Sequence, residues 1–166
     1  LSSWVFGCLW TEIRNKGYYR VVSTPFGEIL ITSDGEKPSA FFNKCLHRGH
    51  RLASSKRGSG ELICPYHGWQ YDTKGQLLSP GVLMHIPGDK KFYNVAKELY
   101  SNKRIQEVKA TKIGDLVFIN ASSHPDPISE QFDNDVINSL QLTEKKLSDT
   151  FLEASIELNF NWKLIF

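Results

Sequence analysis

Two short segments of this chain each place a cysteine next to a histidine, and this repeated pairing constrains the fold more than any other feature. The first pair is Cys45 and His47, the second is Cys64 and His67, and 16 residues separate the pairs. Glycine lies close to both pairs, in the segments CLHRGH and CPYHGW. Glycine and proline adopt backbone conformations that strands exclude, so these segments are expected to form loops. The pattern predicts two loops that each present one thiolate and one imidazole.

Two kinds of metal centre use this set of ligands. In one kind of [2Fe–2S] cluster, two cysteines hold one iron and two histidines hold the other, which raises the reduction potential above that of an all-cysteine cluster. The alternative is a structural zinc site of the Cys2His2 type, in which the first pair is usually two cysteines separated by two to four residues. A Cys-x-His pair departs from that spacing, which favours the cluster. A visible spectrum distinguishes the two, because zinc is colourless and the cluster is brown.

The segment that contains both pairs resembles the Rieske domain of the Rieske non-haem iron oxygenases. The resemblance covers residues 41–81, with the sequence FFNKCLHRGHRLASSKRGSGELICPYHGWQYDTKGQLLSPG. Its motifs are C-x-H-R-G from Cys45, C-P-Y-H-G-W from Cys64, the pair Tyr71-Asp72 and the turn glycine Gly75. Outside these loops the resemblance is looser. Residues 115–120, DLVFIN, are similar to the closing strand of that domain, and residues 161–164, NWKL, are similar to the segment that opens the family's catalytic domain.

The resemblance implies a role for each of the four residues. Cys45 and Cys64 would hold the inner ferric iron, and His47 and His67 would hold the outer iron that cycles between ferric and ferrous. It also implies an electron route from NAD(P)H through a flavin reductase, sometimes with a ferredoxin, to the cluster. The cluster would then supply a mononuclear Fe(II), expected in the catalytic domain, that activates O2 for hydroxylation, dihydroxylation or demethylation of an organic substrate.

Two neighbouring positions indicate which type of Rieske protein this chain resembles. High-potential Rieske proteins carry one further cysteine in each loop, and a disulfide joins the loops. Here the corresponding residues are His50 and Tyr66, so that disulfide cannot form. The resemblance therefore implies the soluble, lower-potential type. The third cysteine of the chain, Cys8, is expected to be a small buried residue.

The remaining aromatic and basic residues near the pairs have ordinary expected roles. Trp69 is expected to pack under its loop and exclude water from the ligands. His50 and Arg48 are expected near or at the surface, with Arg48 able to pair with a carboxylate of a partner. His85 and His124 are isolated in the sequence and are expected at the surface.

Composition and charge exclude several other classes of protein. With 20 basic and 18 acidic residues the net charge is +2, so nothing favours a nucleic-acid partner, which usually requires a clustered basic surplus. The longest apolar stretch, residues 4–10, is far shorter than the ~20 residues of a membrane span. Three cysteines do not form a disulfide framework, which favours a cytoplasmic location.

Short β-branched runs and turn dipeptides alternate along most of the chain, which predicts a mostly β fold. The resemblance makes this a Rieske-type antiparallel β-sandwich with two cluster-binding loops, followed by a linker helix and the first strand of a truncated α+β catalytic domain. The predicted domains are residues 1–121, 122–148 and 149–166. Strands are predicted at 18–22, 28–32, 39–43, 69–72, 104–112 and 116–120, with turns at Thr24–Gly27, Asp34-Gly35, Lys74-Gly75 and Gly114-Asp115.

Two further elements are predicted after residue 121. Asp126 is a suitable cap and Pro127 a suitable first residue for a helix. That helix would run to about Leu142, with residues 128, 132, 136 and 140 on one face. Residues 152–160 alternate strictly between apolar and polar side chains, which predicts a half-buried strand. Because this run continues toward Phe166, and the chain begins without methionine, both ends are expected to be cut.

These features predict the electron-accepting part of an oxygenase, with no catalytic residue in this fragment. The mononuclear iron requires two histidines and a carboxylate, and downstream of the cluster ligands only His85 and His124 remain. The fragment alone should therefore not turn over substrate. The full-length protein is expected to be a homo-oligomer, a trimer by resemblance. The alternative is a stand-alone Rieske-type ferredoxin ending near Asn120, which leaves the following helix and strand unexplained.

Overall fold

The computed structural model describes residues 3–81, 98–100, 102–144 and 146–147, and β-strands are the main regular secondary structure of this part of the chain. A 3-10 turn, Trp10–Glu12, follows the first strand, and two helices follow the last. Residues 98–100 are also helical. The strands are β1 (Val5–Leu9), β2 (Tyr18–Thr24), β3 (Gly27–Ser33), β4 (Pro38–Phe42), β5 (Arg57–Ser59), β6 (Leu62–Ile63), β7 (Gln70–Tyr71), β8 (Leu77–Ser79), β9 (Glu107–Ile113) and β10 (Leu116–Asn120). The helices are α1 (Ile128–Gln131) and α2 (Asn134–Gln141).

The strands form two antiparallel sheets. The larger sheet has seven strands in the order β1-β10-β9-β4-β3-β2-β5. Strand β9 pairs with all of β10 through residues 109–113 and with β4 through Glu107 and Val108. The smaller sheet has the order β6-β7-β8. The mostly β, antiparallel fold predicted from the sequence is confirmed.

Strand β3 lies between two apolar cores. Successive side chains of a strand point to opposite faces, so Leu30 packs in one core while Ile29 and Ile31 pack in the other. All three are fully buried. The core on the Leu30 side also contains Cys45 and Cys64. Both cysteine loops therefore start from a packed apolar base.

The hairpins follow the predicted turns. Strands β2 and β3 pair in register from Tyr19 with Thr32 to Thr24 with Gly27, and Gly27 adopts a φ of 126° at the turn. The strand predicted from Arg104 starts later, because Arg104 forms an isolated bridge with Gln76 and β9 begins at Glu107.

The single helix predicted over residues 126–142 is wrong, because the chain breaks it into α1 and α2. Phe132 is extended, with φ −117° and ψ 132°, and its ring packs edge-on against Phe118 with ring centroids 5.5 Å apart. Asp133 then caps α2, since its Oδ1 accepts the Val136 N–H at 2.9 Å. Asp126 caps neither helix: Pro127 occupies the N-cap of α1 and makes no side-chain cap bond.

Several sequence predictions lie outside the described residues. They are the strand at 152–160, the NWKL segment, the third domain at 149–166 and His85. In the described residues no helix has the length and apolar character needed to cross a bilayer.

Candidate metal centre

Two loops with the same internal hydrogen bonds present the four predicted ligands. We define loop 1 as residues 45–50 and loop 2 as residues 64–69. In each loop the cysteine N–H donates to the carbonyl of the fifth following residue, and the cysteine carbonyl accepts from the fourth, a glycine. The distances are 2.8 and 2.9 Å in loop 1 (Cys45 with His50 and Gly49) and 2.7 and 2.9 Å in loop 2 (Cys64 with Trp69 and Gly68). The two glycines have nearly equal φ, 69° and 70°, a conformation that favours glycine.

The histidines occupy different positions on this shared frame. His47 is the second residue after its cysteine, whereas His67 is the third after its own. Their rings nevertheless meet, with centroids 4.7 Å apart and planes inclined by 68°. The two loops therefore bring the imidazoles together without strict symmetry.

The thiols of Cys45 and Cys64 form a buried pair. The two residues are 3% and 2% exposed. Burial raises the pKa of the Cys45 thiol, while hydrogen bonds from the Tyr71 hydroxyl and the backbone at His47 lower it and the neighbouring Cys64 side chain raises it. Both thiols are free of disulfide bonds, as the sequence predicts.

The imidazoles lie nearer the surface than the thiols. Both histidines are half-buried, but His67 Nδ1 is buried and has no hydrogen-bond partner among the described residues. Burial lowers the pKa of His67, and the charges of His47 and Arg48 lower it further. The lowered pKa favours a neutral imidazole, which is the form that binds a metal.

This arrangement fits a [2Fe–2S] cluster. A buried polar nitrogen without a partner is costly unless something binds it, and a metal ion would satisfy His67 Nδ1. The donors form a buried thiol pair and a more exposed imidazole pair, as a cluster with one iron on each pair requires. Among the described residues, no three Cys, His, Asp or Glu side chains are placed to hold a single ion.

Aromatic rings enclose the imidazole pair. Trp69 stacks on His47, with centroids 5.1 Å apart and planes within 5°, and Tyr66 packs on His67 at 3.9 Å. Trp69 is 3% exposed, which confirms that it packs under the loop. Tyr100 also meets Trp69, edge-on, with ring centroids 5.2 Å apart.

The other predicted neighbours lie where the sequence places them. His50, Arg48 and His124 are exposed, and Cys8 is 1% exposed. His50 Nδ1 lies 2.8 Å from the Arg51 carbonyl, so its ring faces its own backbone.

Three residues near the loops have roles that the sequence analysis missed. The Tyr71 hydroxyl lies 3.2 Å from Cys45 Sγ and accepts the Leu46 N–H at 3.1 Å. The Asn43 side chain bonds the backbone of residues 52 and 53. Gly81 touches the backbone of loop 2. Of these three residues only Tyr71 could have been singled out from the sequence, because it belongs to the Tyr71-Asp72 motif of the resemblance.

Comparison with known proteins gives the class of this domain. Residues 3–82 match the family model of the Rieske [2Fe-2S] domain. The chain carries a Rieske [2Fe–2S] domain and is homologous to the alpha subunits of Rieske oxygenases. In those oxygenases a separate catalytic domain carries a mononuclear iron.

Among the curated relatives, the glycine betaine monooxygenase oxygenase subunit of Pseudomonas aeruginosa is 27% identical over 166 residues, which is 99% of this chain and 36% of that protein. The benzene 1,2-dioxygenase subunit alpha of Pseudomonas putida is 35% identical over 81 residues, or 46% of this chain and 18% of that protein. The chain thus spans about a third of the length of the glycine betaine monooxygenase subunits that it matches throughout.

Solved structures share the fold. The quaternary ammonium Rieske monooxygenase CntA, in complex with an inhibitor, superposes with a TM-score of 0.68 at 23% identity, covering 85% of this chain and 37% of CntA. Naphthalene 1,2-dioxygenase from Rhodococcus sp. superposes with a TM-score of 0.70 at 23% identity, covering 85% of this chain and 31% of that chain.

Proposed function

We propose that this chain is the electron-accepting part of a Rieske oxygenase alpha subunit. The observation that carries the proposal is the division of the four ligands: Cys45 and Cys64 are buried, whereas His47 and His67 are half-buried and adjacent. Electron exchange with another protein requires one side of a centre to approach the surface, and here that side is the imidazole pair.

In this proposal Cys45 and Cys64 hold one iron and His47 and His67 hold the other. When bound, the cluster supplies one-electron chemistry. The chain's own residues hold the thiols away from water in the apolar core and position the imidazoles at the surface. Stacking of Trp69 on His47 excludes water from one ring face, and the surroundings of a metal ligand tune the potential of the site.

The proposed partners lie on both sides of this electron transfer. The electron donor is a flavin reductase, a ferredoxin or both. The electron acceptor is a mononuclear iron in a catalytic domain. We expect the whole protein to be a homo-oligomer, such as a trimer, in the cytoplasm. The iron would activate O2 to hydroxylate, dihydroxylate or demethylate an organic substrate. We expect the present chain alone to carry electrons without oxidising substrate.

The extent of the similarity supports an oxygenase subunit over a stand-alone ferredoxin. A stand-alone ferredoxin would end near Asn120, but similarity to the glycine betaine monooxygenase subunit extends over 99% of the chain. A ferredoxin would need no segment beyond its cluster domain. Because several relatives are named for quaternary ammonium compounds, glycine betaine and carnitine are the first substrates to test with the whole protein.

The ligand assignment is tested by replacing His47 or His67 with alanine and using His50→Ala as the matched control. His50 lies in loop 1 but is exposed; its Nδ1 lies 2.8 Å from the Arg51 carbonyl and its ring centroid 5.7 Å from that of Tyr66. Iron and sulfide content, the visible spectrum and the EPR spectrum of the reduced protein are measured after anaerobic reconstitution. We expect the two ligand variants to lose the signals of a mixed Cys/His cluster and His50→Ala to keep them. Equal spectra in all three variants would contradict the assignment.

The electron-accepting role is tested by mixing the loaded protein with NADH, a flavin reductase and a ferredoxin, and following bleaching of the visible absorption. Reduction by these donors, followed by reoxidation on addition of a Rieske oxygenase catalytic domain, is expected. Reduction with delivery to unrelated acceptors, and none to that domain, would favour the ferredoxin alternative.

A further inference from the structure

The two loops share the same internal frame but are closed at their bases in different ways. Below loop 2, strands β6 and β7 pair through Leu62 with Tyr71 and Ile63 with Gln70. Backbone hydrogen bonds therefore hold the two arms of loop 2 together. Loop 1 is preceded by β4, but no strand follows it until β5 begins at Arg57, and β5 pairs with β2 instead.

The side chain of Asn43 occupies the place of the missing strand pair. Its Oδ1 accepts the N–H groups of Leu52 and Ala53 at 3.1 and 3.0 Å. Its Nδ2 donates to the Ala53 carbonyl at 2.7 Å. One amide thus makes, across the base of loop 1, the donor and acceptor contacts that two strand residues would make. Only this orientation of the amide places its oxygen on the two N–H groups and its nitrogen on the carbonyl.

Glu28 also contacts Asn43, through both its side chain and its backbone carbonyl. Glu28 Oε2 lies 3.4 Å from Asn43 Nδ2, and the Glu28 carbonyl accepts the Asn43 N–H at 2.9 Å. The other carboxylate oxygen, Glu28 Oε1, lies 2.6 Å from Arg51 Nη2. Glu28 on β3 therefore contacts both arms of loop 1, through Asn43 on one arm and Arg51 on the other.

Burial makes these bonds consequential. Asn43 is 1% exposed, and Leu52 and Ala53 are each 6% exposed. Leu52 and Ala53 belong to the same apolar core as Cys45 and Cys64. Loss of the amide would leave the Leu52 and Ala53 N–H groups buried without an acceptor, which is costly. The arms would then separate or take in water, and Cys45, two residues beyond Asn43, would move with them.

We propose that Asn43 is a positioning residue for the metal centre: its side chain closes the base of loop 1 and thereby sets Cys45 and His47 relative to loop 2. The Asn43 side chain holds the two arms of loop 1 together by hydrogen bonds, as the β6–β7 strand pair holds the arms of loop 2 together. No disulfide joins the two loops. The inference rests on the Rieske domain holding its cluster and not on which protein receives the electron.

The experiment compares Asn43→Ala with Asn120→Ala in the full, cluster-loaded chain. Asn120 is also a fully buried asparagine with a backbone hydrogen bond, from the Ser122 N–H at 2.9 Å, but it ends β10, whose Val117 and Ile119 pack in the core that does not contain Cys45 and Cys64. The measurements are the EPR linewidth of the reduced protein, the reduction potential by voltammetry and the rate of iron release to a chelator.

For Asn43→Ala we expect a broadened or split EPR signal, a shifted potential and roughly tenfold faster iron release, the size expected when a buried hydrogen-bond network is lost. For Asn120→Ala we expect lower thermal stability with unchanged EPR signal and potential. The inference is overturned if Asn43→Ala keeps the wild-type signal, potential and release rate, or if Asn120→Ala changes them equally.

Two further variants cover the case in which Asn43→Ala does not retain iron. Asn43→Asp keeps the acceptor for the Leu52 and Ala53 N–H groups but places a buried carboxylate oxygen, instead of the amide donor, beside the Ala53 carbonyl and Glu28. Glu28→Gln keeps an acceptor for Asn43 Nδ2 and loses only the charge beside Arg51. We expect a graded effect, with Asn43→Asp more perturbed than Glu28→Gln, and the opposite order would overturn the inference. Absence of a cluster in the wild-type chain would instead refute the proposed function.

Discussion

Gly81 lies so close to His67 that a Cβ atom at position 81 would collide with the His67 carbonyl oxygen. The same Cβ atom would lie 2.6 Å from the carbonyl carbon of Gly68, and Gly81 has a φ of 58°. The segment after β8 thus packs directly on the backbone of loop 2. Because the obstacle is backbone and not a flexible side chain, it can be relieved only by separating loop 2 from the segment that contains Gly81.

Replacing Gly81 with alanine should therefore displace loop 2 and reduce cluster content. The left-handed backbone alone costs about 1–2 kcal/mol for a residue with a Cβ atom, and displacement of the loop adds to that cost. Iron content and the thermal unfolding midpoint measure the effect. Gly17→Ala is the control, since Gly17 also has positive φ, 87°, but the atom nearest to a Cβ there, the Gly60 carbonyl oxygen, would lie 3.8 Å away. Equal iron loss in both variants would refute the role of the close approach.

Replacing Tyr71 with phenylalanine should lower the reduction potential of the loaded protein. The Tyr71 hydroxyl accepts the Leu46 N–H, and its own hydrogen is then free to donate to Cys45 Sγ, 3.2 Å away. A donor to a thiolate stabilises the reduced, more negative state. We expect a decrease of roughly 20–60 mV, because a hydrogen bond is worth about 0.5–1.5 kcal/mol and about 59 mV is a tenfold change for one electron.

Voltammetry of Tyr71→Phe beside Tyr18→Phe checks this expectation. Tyr18 is 43% exposed on β2, pairs with Ser59 of β5 and is not part of the core that contains Cys45 and Cys64. The potential of Tyr18→Phe should equal that of the wild type. A potential for Tyr71→Phe that is unchanged or higher would show that the hydroxyl does not donate to the cysteine sulfur.

The features that the sequence predicted correctly depend on neighbours in the chain. The hairpin of β2 and β3 follows from the Thr24–Gly27 turn, and the two loops follow from glycine four residues after each cysteine. The spacing of cysteines and histidines is itself local, so the candidate site was found without the fold. Whether those residues bind iron stays a prediction that the ligand variants test.

The features that the sequence did not predict depend on contacts between distant parts of the chain. Asn43 bonds residues nine and ten positions away, and Gly81 reaches back to loop 2, so no local pattern marks either residue. The predicted long helix failed because the Phe132 ring packs on Phe118 and Asp133 offers a better cap than Asp126. The apolar spacing at 128, 132, 136 and 140 satisfied the helical period, but tertiary packing broke the backbone within it.

The buried thiol of Cys8 should make the fold less stable at high pH. Burial raises the pKa of Cys8 far above its ordinary value of 9.0, the charge of Glu12 raises it further, and Arg20 opposes them by less. The unfolded thiol ionises near its ordinary pKa while the folded thiol stays neutral. Its contribution to stability is therefore fully present below about pH 9 and falls above it, by up to about 1.4 kcal/mol per pH unit.

Thermal unfolding of the wild type and Cys8→Ala between pH 8 and pH 10.5 isolates this contribution. Other groups titrate equally in both proteins, so the difference between their unfolding midpoints should shrink or change sign in favour of Cys8→Ala as pH rises above 9. Parallel pH profiles would mean that the Cys8 thiol ionises in the folded protein.

Thr143 should tie α2 to the turn between β9 and β10. Its Oγ1 accepts the Asp115 N–H at 2.9 Å and donates to the Leu140 carbonyl at 2.7 Å, and Asp115 is 3% exposed. Thr143→Val keeps the shape but leaves the Asp115 N–H without this acceptor, which costs about 1–3 kcal/mol. Ser139→Ala, which removes an exposed hydroxyl of α2 bonded to the Asp135 carbonyl, is the control. Hydrogen exchange of the α2 amides should accelerate in Thr143→Val alone, because only that variant breaks the contact between the helix and the β9–β10 turn.

Equal acceleration in both variants would mean that the hydrogen bonds within α2, and not Thr143, hold the helix in place.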